Sequence, residues 1–76
     1  MSKLPIMSGM EIVKRLEKIG FVAIRQKGSH VFLRHKKDNR TTIVPVHKGK
    51  DIDRSLLRKI LNDLELSYED FIKGKR

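Results

Sequence analysis

The sequence predicts a small α+β domain with the element order α-β-β-β-α and a short C-terminal helix. Two amphipathic helical stretches bracket three strand-like stretches, and the connections between the strands are short and rich in turn formers. A three-stranded antiparallel sheet with the helices on one face is the natural way to bury these apolar stripes. We expect residues 1–76 to form a single domain, with residues 1–7 as an extended N-terminal arm, because Pro5 disfavours helix in the residue before it.

The first helix is predicted over residues 8–19. Ser8 and Glu11 have the spacing of a capping box, and Gly20 suits the left-handed position that follows many helices. Apolar residues recur at helical spacing and the basic residues fall on the opposite side. The apolar residues are Ile12, Val13, Leu16 and Ile19, and the basic residues are Lys14, Arg15 and Lys18.

Three strands are predicted from the segments FVAIRQ, HVFLRH and TTIVPV. The segments KGS and KKDNR between them are short, which predicts an antiparallel meander. Pro45 cannot donate a hydrogen bond to a neighbouring strand, so we expect it on an edge strand or at a strand end.

Two further helices are predicted after the basic loop HKGKD. The segment DIDRSLLRKILNDLEL, residues 51–66, has one leucine-rich side, and Asp51 and Asp53 are both acceptable N-caps. The segment SYEDFIKG predicts a short last helix with Ser67 as its N-cap and Asp70 three residues later.

Charge is the strongest compositional signal. Eighteen Lys and Arg residues against nine Asp and Glu give a formal net charge of +9 and a pI near 10.3. A small domain with this balance attracts polyanions, so nucleic acid or an acidic protein is the expected partner. The chain has no cysteine, which excludes disulfides and thiolate–zinc sites. Its longest apolar run, FVAI, is far too short for a membrane span, and we expect a cytoplasmic protein with no membrane partner.

The three histidines are His30, His35 and His47. His30 and His35 are five residues apart on one predicted strand, so alternation sends them to opposite faces and argues against a shared metal. We therefore expect no metal and no cofactor. We expect His35, at the start of a basic turn, to be an exposed polar residue at a strand end.

His30 is the candidate catalytic residue because of its neighbours. Gly28 permits close approach of the backbone, Ser29 supplies a hydroxyl, and Lys27 supplies a charge that binds phosphate. An imidazole held there can take or give a proton while a ribose 2′-hydroxyl attacks phosphorus. The competing interpretation is that His30 only caps a turn. His47 is either a second acid or base, or a polar residue of a loop that leads into a helix.

Strand alternation leaves two orientations for the middle strand. If Val31 and Leu33 face the core, His30 lies on an open sheet face where Phe32 can stack on a base. If Phe32 faces the core, His30 avoids burial by standing at the first position of the strand. We favour the second orientation, since a buried phenylalanine contributes more apolar area.

Three segments together resemble a known family. SGMEIVKRLEKIGF, KGSHVFLRH and TTIVPVHKGKDIDRSLLRKILNDLELSYEDFI, in this order and spacing, resemble the HicA-type toxins, the mRNA interferase half of HicA–HicB toxin–antitoxin pairs. The resemblance extends from about Leu4 to Ile72 and implies a fold similar to that of double-stranded-RNA-binding domains. It also implies a metal-independent endoribonuclease whose activity depends on the histidine of the GSH motif, which is His30 here.

The resemblance further implies two partners, mRNA and a HicB-type antitoxin, with a monomer when free and a hetero-oligomer with the antitoxin. His47 matches the VPVH element and is a candidate helper. From composition and position, we expect seven cations to hold the RNA: Lys27, Arg34, Lys36, Lys37, Arg40, Lys48 and Lys50.

A non-catalytic double-stranded-RNA-binding module is the main alternative, since such modules often carry a histidine in the loop between their first two strands. They read shape through 2′-hydroxyls and phosphates, and they favour lysines where a helix begins at the major groove. The long helix here opens with acids, DIDRSLLRK, which favours the enzyme. A bare interaction protein whose ligand is an acidic partner leaves the GSH motif unexplained.

Overall fold

The computed structural model describes residues 4–74 and contains three helices, a three-stranded sheet and a two-stranded ribbon within that range. In chain order the elements are β1 (Met7–Ser8), α1 (Gly9–Ile19), β2 (Phe21–Lys27), β3 (His30–His35), β4 (Thr41–Pro45), β5 (Asp51–Ile52), α2 (Arg54–Asp63) and α3 (Tyr68–Lys73). The predicted α-β-β-β-α order with a short last helix is confirmed. None of the helices in the described range has the length and apolar character needed to cross a bilayer.

The predicted helix caps are confirmed in α1 and α3. The Ser8 hydroxyl accepts a hydrogen bond from the Glu11 backbone N–H at 3.2 Å. Gly20 follows α1 with φ of 116°, a left-handed conformation that glycine adopts without steric cost. The Ser67 hydroxyl likewise accepts from the Asp70 N–H at 3.0 Å at the start of α3. Both helices therefore begin where their local sequence satisfies the first free N–H groups.

The long helix is shorter than predicted. Residues 51–52 form β5, which pairs antiparallel with β1 through Met7 and Ile52, and α2 begins at Arg54 after the N-cap Asp53. Met7 and Ile52 are both buried, and the Arg54 Nε–H donates to the Leu4 carbonyl at 2.7 Å. Burial of these apolar side chains fixes the N-terminal segment against the rest of the protein. Residues 1–3 of the predicted arm lie outside the described residues.

The sheet is the predicted meander, with strand order β2-β3-β4 and antiparallel pairing throughout. Pro45 is the last residue of the edge strand β4, as expected. Between Ala23 and Arg25 the register of β2 shifts, so that Ile24 is an extra residue without a partner on β3. This is the pattern of a β-bulge, which re-aims the side chains that follow it.

The orientation favoured for β3 is wrong. Val31 and Leu33 are buried with Val44 under the helices, whereas His30 and Arg34 are exposed and Phe32 is half-exposed on the opposite face. Burying the aliphatic side chains of two strands together outweighs burying one aromatic ring. The ring of Phe32 instead packs beneath the guanidinium of Arg25, whose Cζ lies 5.1 Å from the ring centroid.

Candidate functional site

The GSH segment forms the tight turn of the β2–β3 hairpin. Lys27 and His30 are paired across the turn, so Gly28 and Ser29 are its two loop residues. Gly28 has φ of 59°, as at the first central position of a type II′ turn, and a Cβ built on it would contact nothing within 4 Å. The Gln26 side-chain amide donates to the Gly28 carbonyl at 3.1 Å. Glycine is therefore needed for backbone conformation, and the space beside it stays open.

His30 is the first residue of β3, with Lys27 opposite on β2 and Pro45 opposite on β4. Its side chain is exposed while its backbone belongs to the centre strand of the sheet. A shallow depression beside it is lined by Lys27, Gly28, Ser29, His30, Phe32 and Ile43. The imidazole is thus accessible to a ligand on a strand that holds its Cα in place.

His47 lies beside the same hairpin turn although it is 18 residues away in sequence. The Val46 N–H donates to the Ser29 carbonyl at 2.6 Å, which continues the β3–β4 pairing past the strand ends. The Ser29 hydroxyl oxygen and His47 Nε2 are 3.4 Å apart, and the tautomer of the ring decides which of them donates. A second turn follows, in which the Lys50 N–H donates to the His47 carbonyl at 3.0 Å. The fold therefore joins the GSH and VPVH segments.

Gly9 determines how closely α1 approaches this corner of the sheet. A Cβ built on Gly9 would overlap the Pro45 carbonyl oxygen and lie 3.0 Å from the Val46 Cα. The start of α1 therefore rests directly on the backbone that leads into His47. Helix packing and the position of the second histidine are coupled at this contact.

The seven cations predicted to hold RNA fall into three places. Lys27 lies on β2 opposite His30, and Arg34 lies four residues beyond His30 on the exposed face of β3. Lys48 and Lys50 are exposed in the turn after His47. These four lie on the sheet face or the loop that adjoins the histidines.

The other three cations lie at the opposite end of β3. Lys36 is six residues beyond His30, roughly 20 Å along an extended strand, and Lys37 follows it. Arg40 is half-buried; its guanidinium donates to the Leu64 carbonyl and lies 3.2 Å from an Asp38 carboxylate oxygen. The structure does not bring these three cations to His30.

His35 is not the exposed residue that the sequence predicted. It is 5% exposed, its Nε2 lies 3.2 Å from the Ile19 carbonyl oxygen, and its Nδ1 accepts from the Lys37 N–H at 3.1 Å. The Phe21 ring packs edge-on against it, with centroids 4.9 Å apart. The Ile19 carbonyl requires a donor at Nε2, and the Lys37 N–H requires an acceptor at Nδ1, which also lies 3.4 Å from an Asp38 carboxylate oxygen. His35 joins the end of α1 to the sheet.

Arg25 is a neighbour of the site that the sequence reasoning missed. Alternation along β2 places it on the same face as Lys27, and that alternation was the available signal. The bulge at Ile24 brings it opposite Phe32, which the sequence pattern alone does not reveal.

Within residues 4–74, no three His, Asp or Glu side chains are grouped so that they could hold a metal ion. The family model described as "HicA toxin of bacterial toxin-antitoxin" matches residues 9–66, which include both histidine segments. A search of curated proteins finds no match.

Proposed function

The chain belongs to the family of HicA toxins of bacterial toxin–antitoxin systems, and on that premise we propose that it is a metal-independent endoribonuclease that cleaves mRNA and blocks translation. The observation that carries this proposal is the exposed His30 imidazole on the centre strand, beside Lys27 and an open glycine turn. A phosphodiester can approach this turn without displacing any side chain.

The proposed reaction needs one proton removed and one supplied. The ribose 2′-oxygen attacks phosphorus, the bond from phosphorus to the 5′-oxygen breaks, and the products are a 2′,3′-cyclic phosphate and a 5′-hydroxyl. A base takes the 2′-hydroxyl proton, and an acid gives a proton to the leaving 5′-oxygen. Lys27 stabilises the charge that develops on the phosphoryl oxygens.

We assign His30 as the general acid or base and His47 as its helper. A single imidazole cannot perform both proton transfers in one step, and the hydroxyl of Ser29, the residue that directly precedes His30, contacts the His47 ring. The serine hydroxyl orients the second ring and is a positioning group. In this proposal, Lys48 and Lys50 bind RNA phosphates at the turn after His47, and Arg34 binds a phosphate on the sheet face. Lys36, Lys37 and Arg40 remain candidates for more distant phosphates.

The family implies an antitoxin partner, and we propose that it is a HicB-type protein that covers His30 or the cationic surface. A net charge of +9 speeds association with an acidic partner and with RNA alike. In this proposal the protein works in the cytoplasm, is a monomer when free, and forms a hetero-oligomer with its antitoxin.

A non-catalytic double-stranded-RNA-binding module is the second candidate. It shares the element order, but Asp53, the N-cap of α2, is an exposed acid, and Asp51 is exposed on β5 just before it, where such a module would present cations to phosphates. This feature favours the ribonuclease.

The deciding experiment is cleavage of a long single-stranded RNA by purified protein in EDTA, with wild type beside His30→Ala and His47→Ala. We expect wild type to cut, His30→Ala to lose cleavage, and His47→Ala to retain a reduced rate. The products should carry 2′,3′-cyclic phosphates, and a substrate with 2′-deoxyriboses should resist cleavage. If no protein cuts but all bind duplex RNA equally, the binding module replaces the enzyme.

A further inference from the structure

Phe32 differs from the other aromatic residues in where it lies. The chain has three phenylalanines and one tyrosine. Phe21 and Phe71 are buried, and Tyr68 packs against the core. Phe32 stands on the face of the sheet that the helices leave open, so its ring is available to a ligand.

The surroundings of Phe32 are cationic and apolar. Arg25 lies over one side of the ring, and Lys27 and Arg34 are exposed on the same sheet. The strands β2, β3 and β4 contain no Asp or Glu. Ile43, directly opposite Phe32 on β4, is 46% exposed and adds apolar surface. An aromatic platform with cations around it is the arrangement that binds an unpaired base together with its phosphates.

The ring also lies at a useful distance from the proposed catalytic residue. His30 and Phe32 are two residues apart on one face of β3, which separates their Cα atoms by about 7 Å. Phe32 and Ile43 line the same depression as His30, and Arg25 is not among its lining residues. A base can therefore enter beside the ring without displacing the guanidinium.

We propose that Phe32 is a stacking platform for one unpaired base of the substrate, the base of a nucleotide whose phosphate faces His30. This rests on the proposed ribonuclease function and specifies its substrate as single-stranded at that position, because both faces of a paired base are covered by its neighbours in a duplex. Stacking fixes the ribose, and so aligns its 2′-hydroxyl with the phosphorus. Phe32 is a positioning residue in the reaction.

Charge and the exposed ring together favour RNA over an apolar protein surface as the occupant of this face. A protein partner would find apolar surface here, namely Val22, Ile24 and Ile43, each more than 40% exposed. The three cations on the same strands, without any carboxylate, match a polyanion that carries its own flat rings better than they match an apolar protein surface.

The test measures binding of a short oligoribonucleotide that carries one 2-aminopurine, a base whose fluorescence is quenched by stacking. All variants are made in the His30→Ala protein so that the RNA is not cleaved. Phe32→Leu removes the ring but keeps apolar volume, and Phe32→Tyr keeps the ring. Val22→Ala is the matched control, since it removes exposed apolar surface opposite Arg34, away from the depression.

We expect Phe32→Leu to weaken binding of the single strand by about 5- to 150-fold and to abolish the change in fluorescence on binding. Phe32→Tyr should restore both, and Val22→Ala should change neither. In the active protein, Phe32→Leu should lower cleavage by a similar factor.

Two results would overturn the proposal. Equal binding and equal fluorescence in Phe32→Leu would remove the base subsite, even if the wild type still cuts RNA. Loss of antitoxin binding or of self-association in Phe32→Leu, with RNA binding intact, would make this face a protein contact. If the fluorescence change depends on Phe32 but the wild-type protein never cleaves RNA, the base subsite stands and the proposed ribonuclease function is refuted.

Discussion

Replacing Gly9 with alanine has two opposing effects on the free energy of unfolding. Alanine is the better helix former, and the substitution gains about 0.5–1 kcal/mol in a helix interior, which is an upper limit for Gly9, the first residue of α1. The new methyl group, however, would overlap the Pro45 carbonyl oxygen and lie 3.0 Å from the Val46 Cα. Both of these atoms belong to backbone, which cannot rotate away as the end of a side chain can.

The steric effect is the larger one. Inserting a methyl group into a packed site costs about 1–3 kcal/mol, and overlap with backbone atoms belongs to the upper part of that range. A cost of about 2–3 kcal/mol less a helix gain of about 1 kcal/mol leaves the free energy of unfolding of Gly9→Ala lower by about 1–2 kcal/mol. For a domain of this size, that corresponds to a fall in Tm of about 5–15 °C.

Thermal denaturation followed by circular dichroism measures the shift. Lys14→Ala is the control, because Lys14 is exposed in the same helix and its replacement should change stability by less than about 0.5 kcal/mol. A Tm for Gly9→Ala equal to or above that of wild type would refute the packing argument. Below its transition the variant should also cleave RNA more slowly, since the displaced Val46 carries His47 away from Ser29.

Three further substitutions test other contacts. Gly28→Ala meets no steric obstacle, but its φ of 59° should cost about 1–2 kcal/mol, and Gly28→Asn should cost less in urea denaturation. Ser29→Ala should leave Tm unchanged and lower the cleavage rate by about 2- to 10-fold through the lost contact with His47; a rate equal to wild type contradicts the positioning role. His35→Leu should lower the free energy of unfolding by about 1–3 kcal/mol because the Ile19 carbonyl and Lys37 N–H lose their partner.

Features that depend on neighbouring residues were predictable from the sequence. The hydroxyls of Ser8 and Ser67 each accept a hydrogen bond from the N–H three residues later, and the hairpin turn depends on the conformational freedom of Gly28 alone. The apolar stripe of α1 and the meander follow from periodicity and short connections. His30 could be named as a candidate because its motif is contiguous, and its catalytic role stays a prediction.

Features that depend on distant residues were not predictable in this way. The pairing of Met7 with Ile52 moves the start of α2 to Arg54, and no local sequence pattern predicts this pairing. Alternation gave two faces for β3, and only the packing of the helices against Val31 and Leu33 selects one. His35 looked like an exposed strand end, but its ring is enclosed by Phe21 and the end of α1.

The contact between Ser29 and His47 has a consequence for when the proposed ribonuclease reaches its full activity. Pairing of β4 with β3 brings the two residues together, so a chain emerging from the ribosome displays the GSH motif before the proposed helper histidine is in place. Partial unfolding of the β4 end separates them again. In the proposed ribonuclease, the full cleavage rate is thus tied to completion of the sheet, and a host protease or a strand-displacing partner acting at the β4 edge would slow cleavage without touching His30.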